Sequence, residues 1–489
     1  MQLKNVNLKS RFERIILVEK SYNPEGIILL TCICSLFPYL IYKGGLASGI
    51  LILLATISLP SLYAIVVYPK FGIITLMIAS YLVMWISRMG IAGDFPLGTA
   101  IDGLQGLLIL GFLIKQKINP DWSYLKNPIS IMIFIWIGYN LLQLINPNAE
   151  SRLAWVYTVR SVAAVMLMYF VFMYHINSIQ FIKLIIKVWL ALALFAAIYG
   201  FKQQYFGFFA FEEAQLTDPL MISLLFIGGV WRKFSIFSDP VAFSYNMVAC
   251  ALLCISLITG PLAKWKKIIL SLLAVFFLMN MLYSGTRGAY VLLPVSLVLW
   301  AIFKFNKQVL LIGCVGAVFF TALIFVPTSN ATLYRFQTAF KPGDASFNVR
   351  SINQKRIQPY ILSHPMGGGL GATGFWGKRF SPNSYLANFP PDSGYVRVAV
   401  EMGWIGLLLF CILMFIILKT GVDNYYKIKD PEIKSYCLAM TLVAFMLNFG
   451  NYPQEAFVQF PISIYFYLVV ALINICLVLD KKKQLADGK

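Results

Sequence analysis

Residues 327–401 read PTSNATLYRFQTAFKPGDASFNVRSINQKRIQPYILSHPMGGGLGATGFWGKRFSPNSYLANFPPDSGYVRVAVE and form the one long polar interval in the chain. Apolar runs dominate the rest of the sequence, and only short polar segments separate them. The interval therefore divides the apolar runs into a long set before it and a short set after it. Whether those apolar runs are transmembrane helices decides the architecture.

The composition is that of an integral membrane protein. Of 489 residues, 59% are hydrophobic and 12% are charged, and the mean hydropathy is +0.76. Soluble domains use roughly 45–50% apolar and 25% charged residues. Apolar runs of about 20 residues, long enough to cross a bilayer as a helix, recur with charges confined between them. The sequence therefore predicts an all-α integral membrane protein.

Each apolar run is interpreted as a transmembrane span, which gives about fourteen helices and one long, partly helical loop on the outer side of the membrane. Lysines cluster in the segments placed inside, as the positive-inside rule requires, so both ends are expected in the cytoplasm. Residues 219–230 are apolar but too short to cross, which predicts an interfacial or re-entrant segment. The predicted spans are 27–42, 46–67, 71–87, 100–114, 128–145, 157–175, 183–201, 240–260, 268–283, 289–303, 309–326, 402–419, 435–450 and 460–479.

The predicted organisation has five parts. They are a cytoplasmic segment with an interfacial helix at 1–26, a bundle of about eleven helices at 27–326, the long outer loop at 327–401, about three helices at 402–479 and a cytoplasmic tail at 480–489. The net charge is +20, but it lies in short segments between spans, which argues against a nucleic-acid partner. With two histidines and no acidic or cysteine cluster at ligand spacing, no metal site is predicted.

The two cationic residue types are distributed differently along this topology. Of the twelve arginines, only Arg11 and Arg14 fall in segments placed inside, whereas most lysines lie there. Lysine is sufficient to orient a span, but the planar guanidinium binds phosphate oxygens with two parallel hydrogen bonds and stays charged at physiological pH. The other arginines therefore favour a phosphate-bearing ligand at the outer surface. Pairing with lipid headgroups or external carboxylates is the alternative.

Three stretches carry a family resemblance. The first, WRKFSIFSDPVAFSYN at Trp231–Asn246, has an arginine, a short aromatic-rich turn, Asp-Pro and a new span. The second, SGTRGA at Ser284–Ala289, is a serine-arginine-glycine turn between two spans. The third, Arg350–Gly406, contains SHPMGGGLGATG and then PDSGYVRVAVEMGWIGLL. Together they resemble the O-antigen ligase and O-antigen polymerase superfamily of bacterial envelope glycosyltransferases.

The resemblance implies a transferase that takes a glycan from an undecaprenyl-diphosphate carrier and attaches it to an acceptor hydroxyl. The reaction would take place at the periplasmic face of the bacterial inner membrane. The implied partners are the lipid-linked glycan donor, a glycan acceptor and membrane lipids, with a chain-length regulator as a further candidate. Neither a metal nor another cofactor is implied.

The resemblance also bears on the acceptor. Ligases of this superfamily usually have a histidine where this chain has Asp392, whereas polymerase members more often have Asp. Asp392 therefore favours a polymerase that extends one lipid-linked repeat unit with another, in O-antigen or exopolysaccharide synthesis. The alternative is a ligase that uses lipid A core.

Four residues are the catalytic candidates. Arg232, Arg287 and Arg350 match the family's arginines and are expected to stabilise the charge on a departing lipid diphosphate. Asp392 is the candidate base for the acceptor hydroxyl. Because two prolines precede Asp392 and an apolar helix follows it, a helix N-cap is its competing interpretation.

Further substrate contacts are predicted near these four. Arg335 and Arg356 are second choices for phosphate, Arg160 is an accessory phosphate contact, Arg397 is a further candidate, and the ring of Tyr395 is expected to stack on a sugar. Arg397 and Glu401 are four residues apart, which predicts a helical ion pair and favours a structural role for Glu401. Asp239, directly before Pro240, is expected to be a helix cap.

Two other functions fit part of the sequence. A fourteen-span transporter or lipid-linked oligosaccharide flippase would usually have internal repeats and discontinuous helices in matching halves, and no repeat is found. A protein O-oligosaccharyltransferase would share the donor chemistry and differ in its acceptor, and the sequence does not separate it from a polymerase.

Overall fold

The computed structural model describes residues 60–90, 97–227, 229–305, 321–338, 340 and 345–488, with isolated positions at 31, 34–36, 38–39, 42, 307 and 318. The chain divides into two compact units, Met1–Val67 and Tyr68–Lys489. The described residues of the first unit are helical. The predicted segment 1–26, with Arg11 and Arg14, lies outside the described residues. The predicted spans 27–42, 46–67 and 309–326 lie largely outside them.

The described part of the second unit is almost entirely helical. Its two short strands, β1 (Phe226–Ile227) and β2 (Val230–Trp231), pair as an antiparallel hairpin. The helices are α1 (Pro69–Arg88), α2 (Leu97–Ile118), α3 (Pro128–Leu142), α4 (Arg152–His175), α5 (Ile179–Tyr205), α6 (Ala210–Glu213), α7 (Pro219–Leu225), α8 (Pro240–Ile258), α9 (Lys264–Tyr283), α10 (Arg287–Phe303), α11 (Ala331–Thr338), α12 (Ala345–Ser363), α13 (Gly374–Phe380), α14 (Gly394–Lys427), α15 (Pro431–Gly450) and α16 (Ile462–Ala486).

Ten helices among the described residues are long and apolar enough to cross a membrane, namely α1–α5, α8, α9 and α14–α16. Helix α10 is apolar but has only 17 residues. The prediction of an all-α membrane protein is confirmed, whereas the count of fourteen spans is not. Eleven of the predicted spans coincide with α1–α5, α8–α10 and α14–α16, and the other three are those that lie largely outside the described residues.

Polar caps determine where several of these helices begin. Ser151 and Ser178 accept hydrogen bonds from backbone N–H groups in the first turns of α4 and α5. The carboxylate of Asp239 accepts from the N–H groups of Val241 and Ala242 at 2.7 and 3.0 Å at the start of α8. The prediction that Asp239 is a helix cap is therefore confirmed.

Helices α8, α15 and α16 form the centre of the bundle. Within their most apolar windows, 83%, 78% and 83% of residues are buried, against 22% for α9 at the periphery. The hydroxyl of Tyr245, near the start of α8, donates to the carbonyl of Gly450 at the end of α15 at 3.0 Å. The start of α8 and the end of α15 therefore lie at the same end of the bundle, and the candidate site is built there.

The long polar interval is partly helical, as predicted, and contains α11, α12 and α13. Ile357, Leu386, Phe389 and Val400 form an apolar cluster that packs α12 and the segment after α13 against the start of α14. Residues 219–230, predicted to be interfacial or re-entrant, form α7 and most of the β1–β2 hairpin.

Candidate functional site

The turn between α9 and α10, Ser284–Thr286, anchors an arginine from another segment. The turn leads directly into Arg287, the first residue of α10. Arg232 Nε donates to the carbonyl of Ser284 at 3.1 Å, and Arg232 Nη2 donates to the hydroxyl of Thr286 at 3.1 Å. The predicted residues Arg232 and Arg287, which are 55 positions apart in number, therefore meet at one turn.

Arg335 of α11 reaches the same turn. Its Nε donates to the carbonyl of Gly285 at 2.9 Å, and its Nη1 donates to the carbonyl of Ile227 at 3.2 Å. Gly285 has a φ of +59°, and a Cβ at this position would lie 2.7 Å from Arg335 Nε, so the turn needs a glycine. We call Arg232, Arg287 and Arg335 the arginine cluster.

The arginine cluster concentrates positive charge in a half-buried position. The pKa of Arg232 is lowered to about 10, first by burial and then by the charge of Arg335, with a smaller contribution from Arg287. The pKa of Arg335 is lowered by burial and, to a smaller extent, by Arg287. The repulsion among these neighbouring cations would be relieved by an anion. The arrangement therefore favours a multiply charged anion such as a diphosphate.

The segment 450–455, which begins with the last residue of α15, lies between the arginine cluster and the start of α14. On one side is Gly288 of α10, where an added Cβ atom would lie 3.4 Å from Pro453 Cγ. On the other side, the N–H of Gly394, the first residue of α14, donates to the carbonyl of Asn451 at 2.9 Å. The starts of α10 and α14 therefore border the same short segment.

Asp392 lies at this border with its side chain exposed. The N-cap interpretation of Asp392 is wrong, because Ser393 caps α14 by accepting from the N–H of Val396. Asp392 Oδ2 instead accepts from the side-chain amide of Asn353 at 3.1 Å. Asn353 follows Arg350 by three residues on α12, which places the two side chains on one side of that helix. Arg350 and Asp392 are therefore neighbours.

Arg350 also connects Asp392 with the arginine cluster. Its guanidinium lies within electrostatic reach of the Tyr245 hydroxyl. That hydroxyl is 3.4 Å from the position of a Cβ at Gly288, the residue after Arg287. The structure thus brings the four predicted catalytic residues to one end of the bundle.

The glycine-rich loop, residues 365–374, rests on a break in α14. The N–H of Gly369 donates to the carbonyl of Glu401 at 2.9 Å. Gly403 interrupts the helix with a φ of +72°, and the carbonyl of Pro365 occupies the space that a side chain at this position would need. Glycine is therefore required where the loop and the helix meet.

Glu401 is buried and holds this loop through its carboxylate. It accepts from the N–H groups of Gly371 and Thr373 at 3.0 and 3.2 Å and from the Thr373 hydroxyl. It also pairs with Arg397 at 3.1 Å, so the predicted helical ion pair is present. Arg397 pairs in addition with Glu455 at 2.6 Å. Two carboxylates neutralise the Arg397 guanidinium, which favours a structural role for this residue over a substrate contact.

The other predicted substrate contacts, Arg160, Arg356 and Tyr395, each have a partner within the protein. Arg160 Nε pairs with Asp102 at 3.3 Å. The Arg356 guanidinium lies over the ring of Tyr385, 5.6 Å from its centroid. The hydroxyl of Tyr395 is hydrogen-bonded to α15. Of the second-choice residues, it is therefore Arg335 that joins the arginine cluster.

Sequence reasoning missed the segment 450–455 and its acidic residue Glu455. The pKa of Glu455 is raised, first by burial and to a smaller extent by the carboxylates of Glu401 and Asp392, against the lowering effect of Arg397. Glu455 is the one charged residue between the last two predicted spans. A single charged residue in this otherwise uncharged interval was the signal from which Glu455 could have been identified as a site candidate.

Comparison with known proteins identifies part of this region. Residues 272–411 match the family model described as O-antigen ligase. The matched segment runs from α9 into α14 and contains Arg287, Arg335, Arg350 and Asp392, whereas Arg232 precedes it. No curated protein sequence matches the chain.

Proposed function

We propose that the chain, whose residues 272–411 match the family model described as O-antigen ligase, is a lipid-diphosphate-dependent glycosyltransferase of the O-antigen ligase and polymerase superfamily. The proposed donor is an undecaprenyl-diphosphate-linked oligosaccharide repeat unit. The proposed acceptor is a hydroxyl of a second lipid-linked unit, so that the enzyme polymerises repeat units. The proposed site of the reaction is the periplasmic face of the bacterial inner membrane.

The reaction is a displacement at the anomeric carbon of the donor glycan. The acceptor oxygen forms a bond with this carbon while the bond between the carbon and the diphosphate oxygen breaks. The bonding electrons leave with the diphosphate, and the proton of the acceptor hydroxyl passes to a base. Diphosphate is a good leaving group, so the main requirement is positive charge placed beforehand where negative charge develops.

The observation that carries the proposal is the arginine cluster at the Ser284–Thr286 turn. Arg232 and Arg335 are fixed there by hydrogen bonds to backbone carbonyls. These bonds orient a guanidinium without cancelling its charge. A cation that is already oriented loses little conformational freedom when an anion binds, which is the condition for strong stabilisation of a developing charge.

Asp392 is the proposed base. Since Ser393 caps α14, the carboxylate of Asp392 is not needed for the helix start. Its hydrogen bond with Asn353 occupies one oxygen and leaves the other to approach an acceptor hydroxyl. The neighbouring Arg350 would hold the diphosphate close to the hydroxyl that Asp392 deprotonates.

The donor chemistry is the same for several acceptors, so the acceptor has to be identified separately. The aspartate at position 392 supports a polymerase over a ligase, because a superfamily ligase would be expected to have histidine there. A ligase acting on lipid A core and an oligosaccharyltransferase acting on protein would use the same donor site. The acceptor must therefore be read from the product.

The proposal is tested by expressing the wild type and the Arg287→Ala and Asp392→Asn variants in a strain that lacks its own polymerase. Glycan chain lengths are compared on gels, and the abundance of each variant in the membrane is measured. We expect long chains from the wild type alone. Removal of a positioned base typically slows a reaction by about 10²–10⁴-fold, and removal of one charge-stabilising donor by about 10²–10³-fold.

The matched control is Arg379→Ala, which removes an exposed arginine that stacks on Trp376 and Phe380 of α13. It should leave chain length unchanged. Wild-type chain lengths from Arg287→Ala would reject the arginine cluster as the leaving-group site. Full activity of Asp392→Asn would reject Asp392 as the base. A single transferred unit on lipid A core, in place of a ladder, would identify a ligase.

A further inference from the structure

A second cavity lies at the far end of the bundle from the arginine cluster. It has a volume of about 1080 Å³ and is lined by the ends of α2, α4 and α16 and by the segment between α2 and α3. Helix α4 connects the two ends: Ala154 and Thr158 border Gly371 of the glycine-rich loop, and His175 borders the cavity. Helix α4 has 24 residues. At 1.5 Å per residue it is about 36 Å long, the thickness of a bilayer.

The charged lining of this cavity is mainly basic. Lys115 at the end of α2 and Lys482 at the end of α16 both line it. Lys70 lies within electrostatic reach of Lys115 and donates to the side-chain carbonyl of Asn177, another lining residue, at 2.9 Å. Two lysines from two helices therefore line the cavity, and a third lies close to one of them.

One acid in the lining offsets part of this charge. Asp121 Oδ1 accepts from the N–H and the hydroxyl of Ser123 at 2.9 and 2.6 Å, and the carboxylate lies within electrostatic reach of Lys482. One carboxylate stands against the two lining lysines, so the lining keeps an excess of positive charge. An anionic ligand would be attracted to it.

The rest of the lining is apolar. Met173 of α4 and Ile475, Val478 and Leu479 of α16 contribute hydrocarbon side chains to the same cavity. A soluble phosphate would gain nothing from these residues. A molecule with a charged head and a hydrocarbon chain would use both parts of the lining.

We propose that this cavity binds the phosphate headgroup of an anionic phospholipid, with Lys115 and Lys482 as its cationic contacts. In the predicted topology this end of the bundle faces the cytoplasmic leaflet, and basic pockets between helices at that depth suit anionic headgroups. Lysines that merely orient the spans would not need to line a cavity with apolar walls. The site is separate from the proposed glycosyl transfer.

The test is native mass spectrometry of the full-length protein in detergent with added dioleoylphosphatidylglycerol or dioleoylphosphatidylcholine. The wild type should bind phosphatidylglycerol about tenfold more tightly than phosphatidylcholine. Each lysine near an anionic headgroup contributes about fivefold, so Lys115→Gln/Lys482→Gln should weaken phosphatidylglycerol binding on the order of 30-fold. The control, Lys264→Gln/Lys266→Gln, changes two lysines at the start of α9 that do not line the cavity. It should bind like the wild type.

Equal binding of the two lipids by the wild type, or an equal loss in the control, would overturn the proposal. Competition by millimolar inorganic phosphate that removes the lipid would instead identify a site for free phosphate and reject the lipid. A thermal unfolding midpoint for each variant confirms that the protein measured is folded.

Discussion

Arg232 and Arg397 are two half-buried guanidinium groups at the same end of the bundle, and their partners differ in kind. Arg232 donates to backbone carbonyls and a threonine hydroxyl and makes no ion pair with a described residue. Arg397 is held between the carboxylates of Glu401 and Glu455. A carbonyl positions a guanidinium and leaves its charge available, whereas a carboxylate also neutralises it. The partner, more than the residue type, distinguishes a candidate phosphate ligand from a structural cation.

The same difference extends to the surroundings of each arginine. The Arg397 region is a closed network in which Glu401 also holds the N–H groups of Gly371 and Thr373. In the Arg232 region, the charges of Arg335 and Arg287 help to lower the pKa of Arg232, and the charge of Arg287 helps to lower the pKa of Arg335, so the region favours an anion. Substitutions in the first region should therefore reduce stability, and substitutions in the second should reduce activity.

The largest effect is expected from Glu401→Ala. This change leaves two loop N–H groups without an acceptor and removes one of the two carboxylates that pair with Arg397. Breaking a buried ion pair by removing one partner costs about 3–5 kcal/mol. The thermal unfolding midpoint in detergent should fall by several degrees or more, and the amount of folded protein should fall with it. Glu213→Ala, which removes an exposed carboxylate at the end of α6, is the control and should not change the midpoint. An unchanged midpoint in Glu401→Ala would contradict the structural role that the comparison assigns to the Arg397 region.

Arg232→Ala is expected to have the next largest effect, on rate more than on stability. Loss of one pre-oriented cation should slow glycan transfer about 10²–10³-fold at saturating donor. Arg232→Lys should recover little of this rate, because an ammonium cannot form the two parallel bonds that a guanidinium makes with a diphosphate. The measurement is the transfer rate per folded enzyme, with the unfolding midpoint recorded beside it. If Arg232→Ala unfolded as readily as Glu401→Ala while each folded molecule kept its rate, Arg232 would also be structural.

Several of these features could be read from the sequence because they are local. Apolar runs predict spans, an aspartate before proline predicts the cap at Asp239, and a four-residue spacing predicts the Arg397–Glu401 pair. The site contacts depend on distant segments and could not be read in this way. The second partner of Arg397 is 58 positions away, and the residue that positions Asp392 is 39 positions away.

The error at the start of α14 has a local cause. Asp392 and Ser393 are adjacent, and both are residue types that favour the N-cap. The choice between them depends on which residue is the first to adopt helical geometry. The N–H of Gly394 is held by Asn451, from a segment that the sequence does not connect with it, and this contact helps to fix the helix start. Ser393 is then the cap, and Asp392 is left for another role.

The smallest effect is expected from Glu455→Gln, which tests whether the two carboxylates that pair with Arg397 contribute equally to stability. The pKa of Glu455 is raised, chiefly by burial, so the folded protein holds this proton more tightly than the unfolded chain does. Stability that depends on the protonated form is present at low pH and is lost as the pH rises through the raised pKa. Glutamine resembles the protonated form. Glu455→Gln should therefore unfold at the same temperature as the wild type at low pH and at an equal or slightly higher temperature at neutral pH.

We expect the difference at neutral pH to be less than about 1 kcal/mol, which corresponds to a few degrees or less. The measurement is the unfolding midpoint of both proteins from about pH 4 to pH 8. Glu213→Gln is the control for the loss of one negative charge. A large drop in the Glu455→Gln midpoint at neutral pH, closing as the pH falls, would mean that Arg397 depends on an ionised Glu455 as much as on Glu401. Arg397 would then be held by a symmetric pair, and the loop contacts of Glu401 would be the feature that makes Glu401→Ala the more damaging change.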